Sequence, residues 1–252
     1  MDKDLIKQRF AKSLDTYEVQ ADVQFHIAEV LAEKAQSYLP KVCSSLLEVG
    51  CGTGFLSRHL LSRVNVKQLY LNDLVDLSSY LDQIVGSIEF DTAVYFQAGD
   101  AECIEFPSQL QAVVSASTLQ WLVDLPAFLV KVNKSLLPEG YFIFNTFGPA
   151  NLLELKTIMG VGIDYPCENE LTTMLGEHFN VLEKWEETHV KTFESPRAIL
   201  RHLKETGVTA TKNGFRWTKS NLQNFETIYR EKFSKEEKVT LTWQVYYFIC
   251  KK

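Results

Sequence analysis

The run Leu46-Leu47-Glu48-Val49-Gly50-Cys51-Gly52-Thr53-Gly54 carries an apolar strand straight into a turn with glycine at every second position. Glycines accept backbone angles closed to other residues and let a ligand approach the main chain without meeting a Cβ. A dinucleotide-binding turn needs its third glycine at position 55, where this chain has Phe55. No Gly-Lys-Ser/Thr follows, so a Walker phosphate loop is excluded as well. Glu48, inside the strand end, would repel a phosphate but attract the cationic amine end of S-adenosylmethionine. Charge therefore favours a sulfonium cofactor, with an ordinary tight strand-to-helix turn as the bland alternative.

In a doubly wound sheet, ligands bind beyond the C-terminal ends of the strands, so residues just after each early strand are the candidates. Asp73 ends the second strand-like run, where a carboxylate can accept both ribose hydroxyls, and Asp76 is the second choice. Asp100, Ala101 and Glu102 follow the third, where an acid can accept the adenine amino group and a small residue lets the ring lie flat. Ser115, Ala116 and Ser117 end the fourth, beneath the methyl-donor position, and Leu119-Gln120-Trp121 follows. Taken singly, each has a plain structural explanation: a solvent-facing loop acid, or for Trp121 a place in the core.

The elements that must hold these residues alternate along the chain. Phe25, Ala28, Leu31, Ala35 and Tyr38 recur at helical spacing and Pro40 closes the run, so the first forty residues form a helical arm. Strand-like runs at 45–49, 68–72, 93–98, 112–115 and 141–146 alternate with helices, one of them capped by Asp124 before Pro126 and running to about Leu136. A helix near 167–176, a sixth strand near 180–186 and a last strand over 240–250 follow. The reading is an α/β fold with a doubly wound, mostly parallel, seven-stranded sheet. Helices over Pro196–Glu205, capped by Ser195, and about Lys219–Phe233 interrupt the last two strands as an inserted lid. One domain is expected: arm 1–40, cofactor-binding core 41–190, lid 191–238 and final strand 239–252.

The chain has 252 residues, 46% of them hydrophobic, enough for a full core. No apolar run reaches the roughly 20 residues of a membrane helix. The charged start Met1-Asp2-Lys3-Asp4 is unlike a signal peptide, so a cytoplasmic location is expected. Five scattered cysteines lack any C-x-x-C pair, which argues against a disulfide framework or a metal site. The net charge of −6 argues against general nucleic-acid binding, yet Lys191 to Lys232 carries nine basic and four acidic residues. That segment is either a solvated helical face or a docking surface for an acidic partner.

The glycine turn, the acids after strands two and three, and the Leu137-Pro138-Glu139-Gly140 turn before strand five together resemble a class I S-adenosylmethionine-dependent methyltransferase. By that resemblance Glu48, Gly50 and Gly52 hold the methionyl part of S-adenosyl-L-methionine, Asp73 the ribose, and Asp100 with Ala101 the adenine, with Ser115 below. Glu139 stands in the usual glycine pair. Further segments resemble the malonyl-acyl carrier protein O-methyltransferases of biotin synthesis, the BioC family, over nearly the whole chain. They are Phe10 to Tyr17 with Ala21 and Gln24, Leu119-Gln120-Trp121, Leu152 to Leu155, Leu200 to Thr209, and Leu241 to Tyr247. The family's His-Val-Asn after strand five is replaced by Gly162-Ile163-Asp164-Tyr165.

The resemblance implies methyl transfer to the free carboxylate of a malonyl thioester on acyl carrier protein. A carboxylate with a pKa near 4 is already ionised, so no general base is required. Tyr17 is then a candidate to close over the cofactor, with packing into the sheet as its alternative. Arg201 or Lys204 is a candidate to orient the malonyl carboxylate, and Arg197, Lys212, Arg216 and Lys219 to dock an acidic acyl carrier protein. The protein is expected to act as a monomer, without metal, membrane or nucleic acid. The competing readings are a small-molecule methyltransferase acting on a free acid or a quinone precursor, and a non-catalytic partner subunit with the same fold.

Overall fold

The computed structural model describes residues 1–85, 91–160, 162–208 and 217–252, which leaves the docking candidates Lys212 and Arg216 outside the described residues. The chain begins with α1 (Lys3–Gln20), α2 (Asp22–Tyr38), β1 (Val42–Val49), α3 (Phe55–Leu61), β2 (Asn65–Asp73), α4 (Leu81–Val85) and β3 (Ala93–Ala98). It continues with β4 (Leu110–Ser115), α5 (Leu125–Ser135), β5 (Leu136–Phe147), α6 (Leu153–Met159), α7 (Glu168–Gly176) and β6 (Asn180–Phe193). Last come α8 (Pro196–Glu205), α9 (Lys219–Phe233), β7 (Ser234–Lys235) and β8 (Lys238–Lys251). The sheet order is β3-β2-β1-β4-β5-β8-β6, and β1 to β5 pair in parallel. This is the expected doubly wound sheet, with the two-residue β7 added alongside β8. Among the described residues no helix is long and apolar enough to cross a membrane.

Two compact units divide the chain. One comprises residues 21–146, 167–185 and 246–252. Its core alternates across the sheet as strand periodicity requires. Leu47, Val49, Val113, Phe142 and Phe144 pack with Phe128 and Val132 of α5 and Leu171 and Leu175 of α7. Leu46 and Glu48 face the other way, where Glu48 meets Ser57 of α3. Helices therefore lie on both faces. Asp124 caps α5 as expected, accepting from the Ala127 amide at 2.9 Å.

The structure refines one reading and corrects two others. Phe25 is 43% exposed; the buried stripe of α2 is Val23, Ile27, Ala28, Leu31 and Ala35, and Phe25 flanks it against Phe55 and His59. Strand β5 starts at Leu136, five residues early, because Leu110 pairs with Leu136 and Ala112 with Tyr141, enclosing the Pro138-Glu139-Gly140 turn as an irregularity within the strand. Glu139 there adopts φ +66°, the left-handed geometry a glycine would take at less cost. Finally, β6 runs on to Phe193, because its residues alternate between half-buried and exposed along the whole length.

The other unit comprises residues 1–20, 147–166 and 186–245. It separates α1 from α2, so the two helices of the expected N-terminal arm belong to different bodies. Helix α1 lies on α8, where the Thr16 hydroxyl donates to the Glu205 carbonyl at 2.8 Å. Helix α8 is capped by Ser195, and α9 by the reciprocal Thr218–Asn221 pair. Ile199, His202 and Leu203 of α8 are buried, and the His202 ring packs between Phe193 and Trp243. Glu154 of α6 is buried too and accepts from the Thr242 amide at 3.1 Å and its hydroxyl at 2.7 Å. Such a carboxylate is held by its donors, since an unpaired buried charge is far costlier.

Gly207, just past α8, has φ +72°, and a Cβ there would stand 2.9 Å from Ser13 Oγ and 3.3 Å from the Phe10 Cα. Gly207→Ala should therefore lower stability by roughly 1–3 kcal/mol. Thermal melts test this, and an unchanged midpoint would contradict the close α1–α8 contact.

Candidate active site

The C-terminal ends of β1, β2 and β3 are tied to one another by two consecutive residues, Asn72 and Asp73. The Asn72 carbonyl accepts from the amides of Gly50 at 2.8 Å and Cys51 at 2.9 Å. Its side-chain amide donates to the carbonyls of Gln97 and Gly99, both at 3.0 Å. The Asp73 carboxylate accepts from Gly52 N at 2.9 Å through Oδ2 and from Val75 N at 2.9 Å through Oδ1. Its backbone carbonyl accepts from the Gly99 amide at 2.8 Å. The glycine turn is thus held from below by backbone and from the side by a carboxylate. Nothing in the sequence singled out Asn72, since its role depends on where β3 ends.

Gly50 has φ +74°, and a Cβ on it would overlap Thr118 Oγ1 at 2.1 Å. The space that Gly50 leaves open is used first by the turn after β4, and ligand access is a second requirement on the same segment. Beneath it, the Ser115 hydroxyl donates to the Val49 carbonyl at 2.8 Å. Ser115 fastens β4 to the end of β1 and is fully buried. Thr53 Oγ1, in the glycine turn, is buried without a hydrogen-bond partner.

Glu48 is 1% exposed, and its Oε2 is hydrogen-bonded to the Ser57 hydroxyl of α3. Burial pushes its pKa up to about 8, against a smaller lowering by the Ser57 bond. Burial likewise raises Asp73 to about 6, opposed by the bonds from Val75, Gly52 and Leu74. At pH 7 Asp73 is the charged member of the pair and Glu48 is mostly protonated, so Glu48 would attract an ammonium group only on giving up its proton.

Past β3, Asp100 Oδ1 accepts from the Glu102 amide at 3.0 Å, and its backbone carbonyl accepts from Cys103 and Ile104. Ala101 is buried, and its carbonyl takes a 2.7 Å bond from Lys131. Glu102 turns to α5, accepting from Val123 N and, at 2.7 Å, from Asp124 N. The sequence groups Glu102 with the adenine acids; the structure occupies it with the entry to α5. Trp121 closes a short 3-10 turn from Leu119 and is half-buried. Asp76 binds the Ser78 amide and hydroxyl, at 3.1 and 2.7 Å.

All seven cofactor candidates lie in the unit that holds β1 to β4, and Gly52 is directly bonded to Asp73. Tyr17, Arg201 and Lys204 lie in the other unit. Tyr17 is half-buried, with its ring edge-on to Phe10 at 5.2 Å. Arg197, Arg201 and Lys204, four and three residues apart on α8, are exposed, and Arg197 is bound to Glu226 through two contacts at 2.5 and 3.1 Å. The expected adenosyl cofactor fits this donor set: a charged acid after β2 with lone pairs to spare, a second acid after β3 beside a buried alanine, and an orphaned threonine hydroxyl in the glycine turn.

Glu48 and Asp73 both hold their protons more tightly folded than unfolded. Their stabilising contribution is complete below their ordinary values of 4.5 and 3.8, and is lost as pH rises through about 8 and about 6 respectively. Glu48→Gln keeps an acceptor for Ser57 and removes the upper part of that window. The variant should gain on the wild type by on the order of a few kcal/mol between pH 5 and pH 8.5. Melting curves across that range check it; parallel profiles would contradict a buried, neutral Glu48.

Residues 47–144 match the model of a methyltransferase domain. Over its whole length the chain is 36% identical, across 261 residues, to the malonyl-[acyl-carrier protein] O-methyltransferase of Bacteroides thetaiotaomicron, covering 99% of that relative. It is 40% identical across 253 residues to the protein of the same name from Porphyromonas gingivalis, covering 96% of it. Among solved structures, a putative methyltransferase from Bacillus halodurans aligns with TM-score 0.65 at 16% identity, over 88% of this chain and 98% of that one. The N-methyltransferase NodS of Bradyrhizobium japonicum, solved with S-adenosyl-L-homocysteine, aligns with TM-score 0.59 at 13% identity over 98% of each chain. These two likenesses establish the fold, and the full-length identities to the curated relatives establish more: this chain belongs to the malonyl-[acyl-carrier protein] O-methyltransferase family.

Proposed function

We propose that this protein transfers a methyl group from S-adenosyl-L-methionine to the free carboxylate of a malonyl thioester on acyl carrier protein, an early step of biotin synthesis. The observation that carries the reading is end-to-end identity of 34% to 40% with relatives bearing that name. In this reading Gly50 and Gly52 border the methionyl part, Asp73 accepts the ribose hydroxyls through its remaining lone pairs, and Asp100 with Ala101 frames the adenine. Glu48 lies under the turn as a neutral support that can ionise next to a cation.

The cofactor, when bound, supplies an electrophilic methyl group on a sulfonium. The acceptor carboxylate is ionised at neutral pH and attacks through one oxygen. Transfer would join that oxygen to the methyl carbon at the expense of its carbon–sulfur bond, whose electron pair would stay on sulfur, with no proton to move. The protein's work is alignment and exclusion of water, effects that reach about 7–11 kcal/mol when reacting groups are held in line. No catalytic base is needed for this chemistry.

The exposed stripe of Arg201 and Lys204 on α8 serves an acidic carrier protein. Arg197 contributes less, because Glu226 already neutralises it. Charge steering of this kind is screened by salt, with a Debye length of about 8 Å at physiological ionic strength.

Labelled S-adenosylmethionine, incubated with malonyl-acyl carrier protein and separately with acetyl-acyl carrier protein, should label the malonyl form alone. Label on a free dicarboxylic acid, with none on the malonyl carrier, would overturn the assignment. In the same assay the double substitution Arg201→Glu and Lys204→Glu should raise KM for the carrier-bound substrate about tenfold or more and flatten its salt dependence. Wild-type KM in that variant would remove α8 from the docking surface.

A further inference from the structure

Three buried polar atoms without hydrogen-bond partners stand together, two in the turn after β4 and one near the end of β5: Ser117 Oγ, Gln120 Oε1 and Asn145 Nδ2. They are joined through their other atoms. Asn145 Oδ1 accepts from Ser117 N at 2.9 Å, and Gln120 Nε2 donates to the Ser117 carbonyl at 2.6 Å. These bonds settle both amide orientations, so the orphan on Asn145 is a donor and the orphan on Gln120 is an acceptor. Ser117 also has φ +52°, in the left-handed region that a residue with a Cβ rarely enters.

Folded proteins pair nearly all their buried polar groups, so a cluster left unpaired in a strained turn points to a purpose outside folding. Its location is specific. The next residue, Thr118, fills the space above Gly50 and lies within 3.4 Å of the Gly50 carbonyl. The cluster therefore abuts the glycine turn at the C-terminal ends of two adjacent parallel strands, where ligands of such sheets bind.

We infer that Asn145 Nδ2 and Ser117 Oγ bind the methyl-accepting carboxylate of the substrate, holding the oxygen that does not attack. This rests on the carboxyl-methylation reading above. Neutral donors suit the task. A cation in contact with the carboxylate would draw charge from the attacking oxygen, whereas an amide N–H and a hydroxyl orient it and leave the charge on the nucleophile. Arg201 and Lys204 are then released for docking. Gln120 Oε1 has nothing to offer a carboxylate; the Gln120 amide instead fixes the Ser117 carbonyl and so the turn.

A carboxylate also occurs in the methionyl part of the cofactor, and the test separates the two sources. Ser117→Ala removes only an unpaired hydroxyl, and Asn145→Asp keeps the acceptor for Ser117 N while replacing the donor with an anion. Three quantities are measured for each: melting temperature, S-adenosylhomocysteine affinity by calorimetry, and kcat/KM for malonyl-acyl carrier protein. For Ser117→Ala the melting temperature should equal or exceed that of the wild type, S-adenosylhomocysteine affinity should stay within about twofold, and kcat/KM should fall ~10–100-fold. Asn145→Asp should lose more, through repulsion. Wild-type kcat/KM in Ser117→Ala overturns the inference even if Asn145→Asp fails to fold. A fall in S-adenosylhomocysteine affinity matching the fall in kcat/KM overturns it too, moving the site to the cofactor. Failure of the wild type to methylate malonyl-acyl carrier protein would sink the underlying reaction instead.

Discussion

The site depends on the bonds that Asn72 and Asp73 make across the ends of β1, β2 and β3. A glycine turn alone is a loose object, because glycine loses more conformational freedom on ordering than any other residue. Here the protein's own groups hold the turn. Asn72 O takes two of its amides and the Asp73 carboxylate a third. The Asn72 side chain and the Asp73 carbonyl draw in the end of β3, and with it the segment that bears Asp100. One dipeptide thereby sets the spacing of Asp73 and Asp100, the acids proposed to flank an adenosyl group, which is preorganisation in the sense that lowers the cost of binding.

Around this fixed part, the sheet unit keeps groups that folding alone would not select. Burial pushes the pKa of Glu48 up to about 8, and polar atoms are left unpaired in the turn after β4 and at the end of β5. Natural proteins keep such costs where activity requires them. In the unit of α1, α8 and α9 the buried Glu154 is paired with Thr242, Asn151 Oδ1 is left without a partner, and Arg197, Arg201 and Lys204 of α8 are exposed. The candidate cofactor residues and the exposed cations of α8 thus lie on different stretches of chain.

Much of this was legible in the sequence for physical reasons. Strand and helix periods differ, so the alternation of elements could be read, and caps such as Ser195 and Asp124 marked helix starts to the residue. Residues just past strand ends form a short search space in a parallel sheet, which is why Asp73 and Asp100 stood out. Side-chain commitments were not legible. Glu102 has the chemistry of a site acid but is engaged by backbone amides at the start of α5, and Arg197 has that of a docking residue but is paired with Glu226. Asn72 and Asn145 matter through long-range partners that no local pattern encodes. The early start of β5 escaped because Pro138 and Gly140 read as a turn, whereas pairing resumes on both sides of it.

The central claim is that Asp73 and Asn72 themselves build the turn, and the amide of Gly52 reports on it most directly. Hydrogen exchange followed by NMR in the ligand-free protein should find that amide protected. In Asp73→Ala its protection should vanish, while the Gly50 and Cys51 amides, held by the Asn72 carbonyl, stay slow. A Gly52 amide that exchanges freely in the wild type until S-adenosylhomocysteine is added would contradict the account, because the ligand and not the protein would then be ordering the turn.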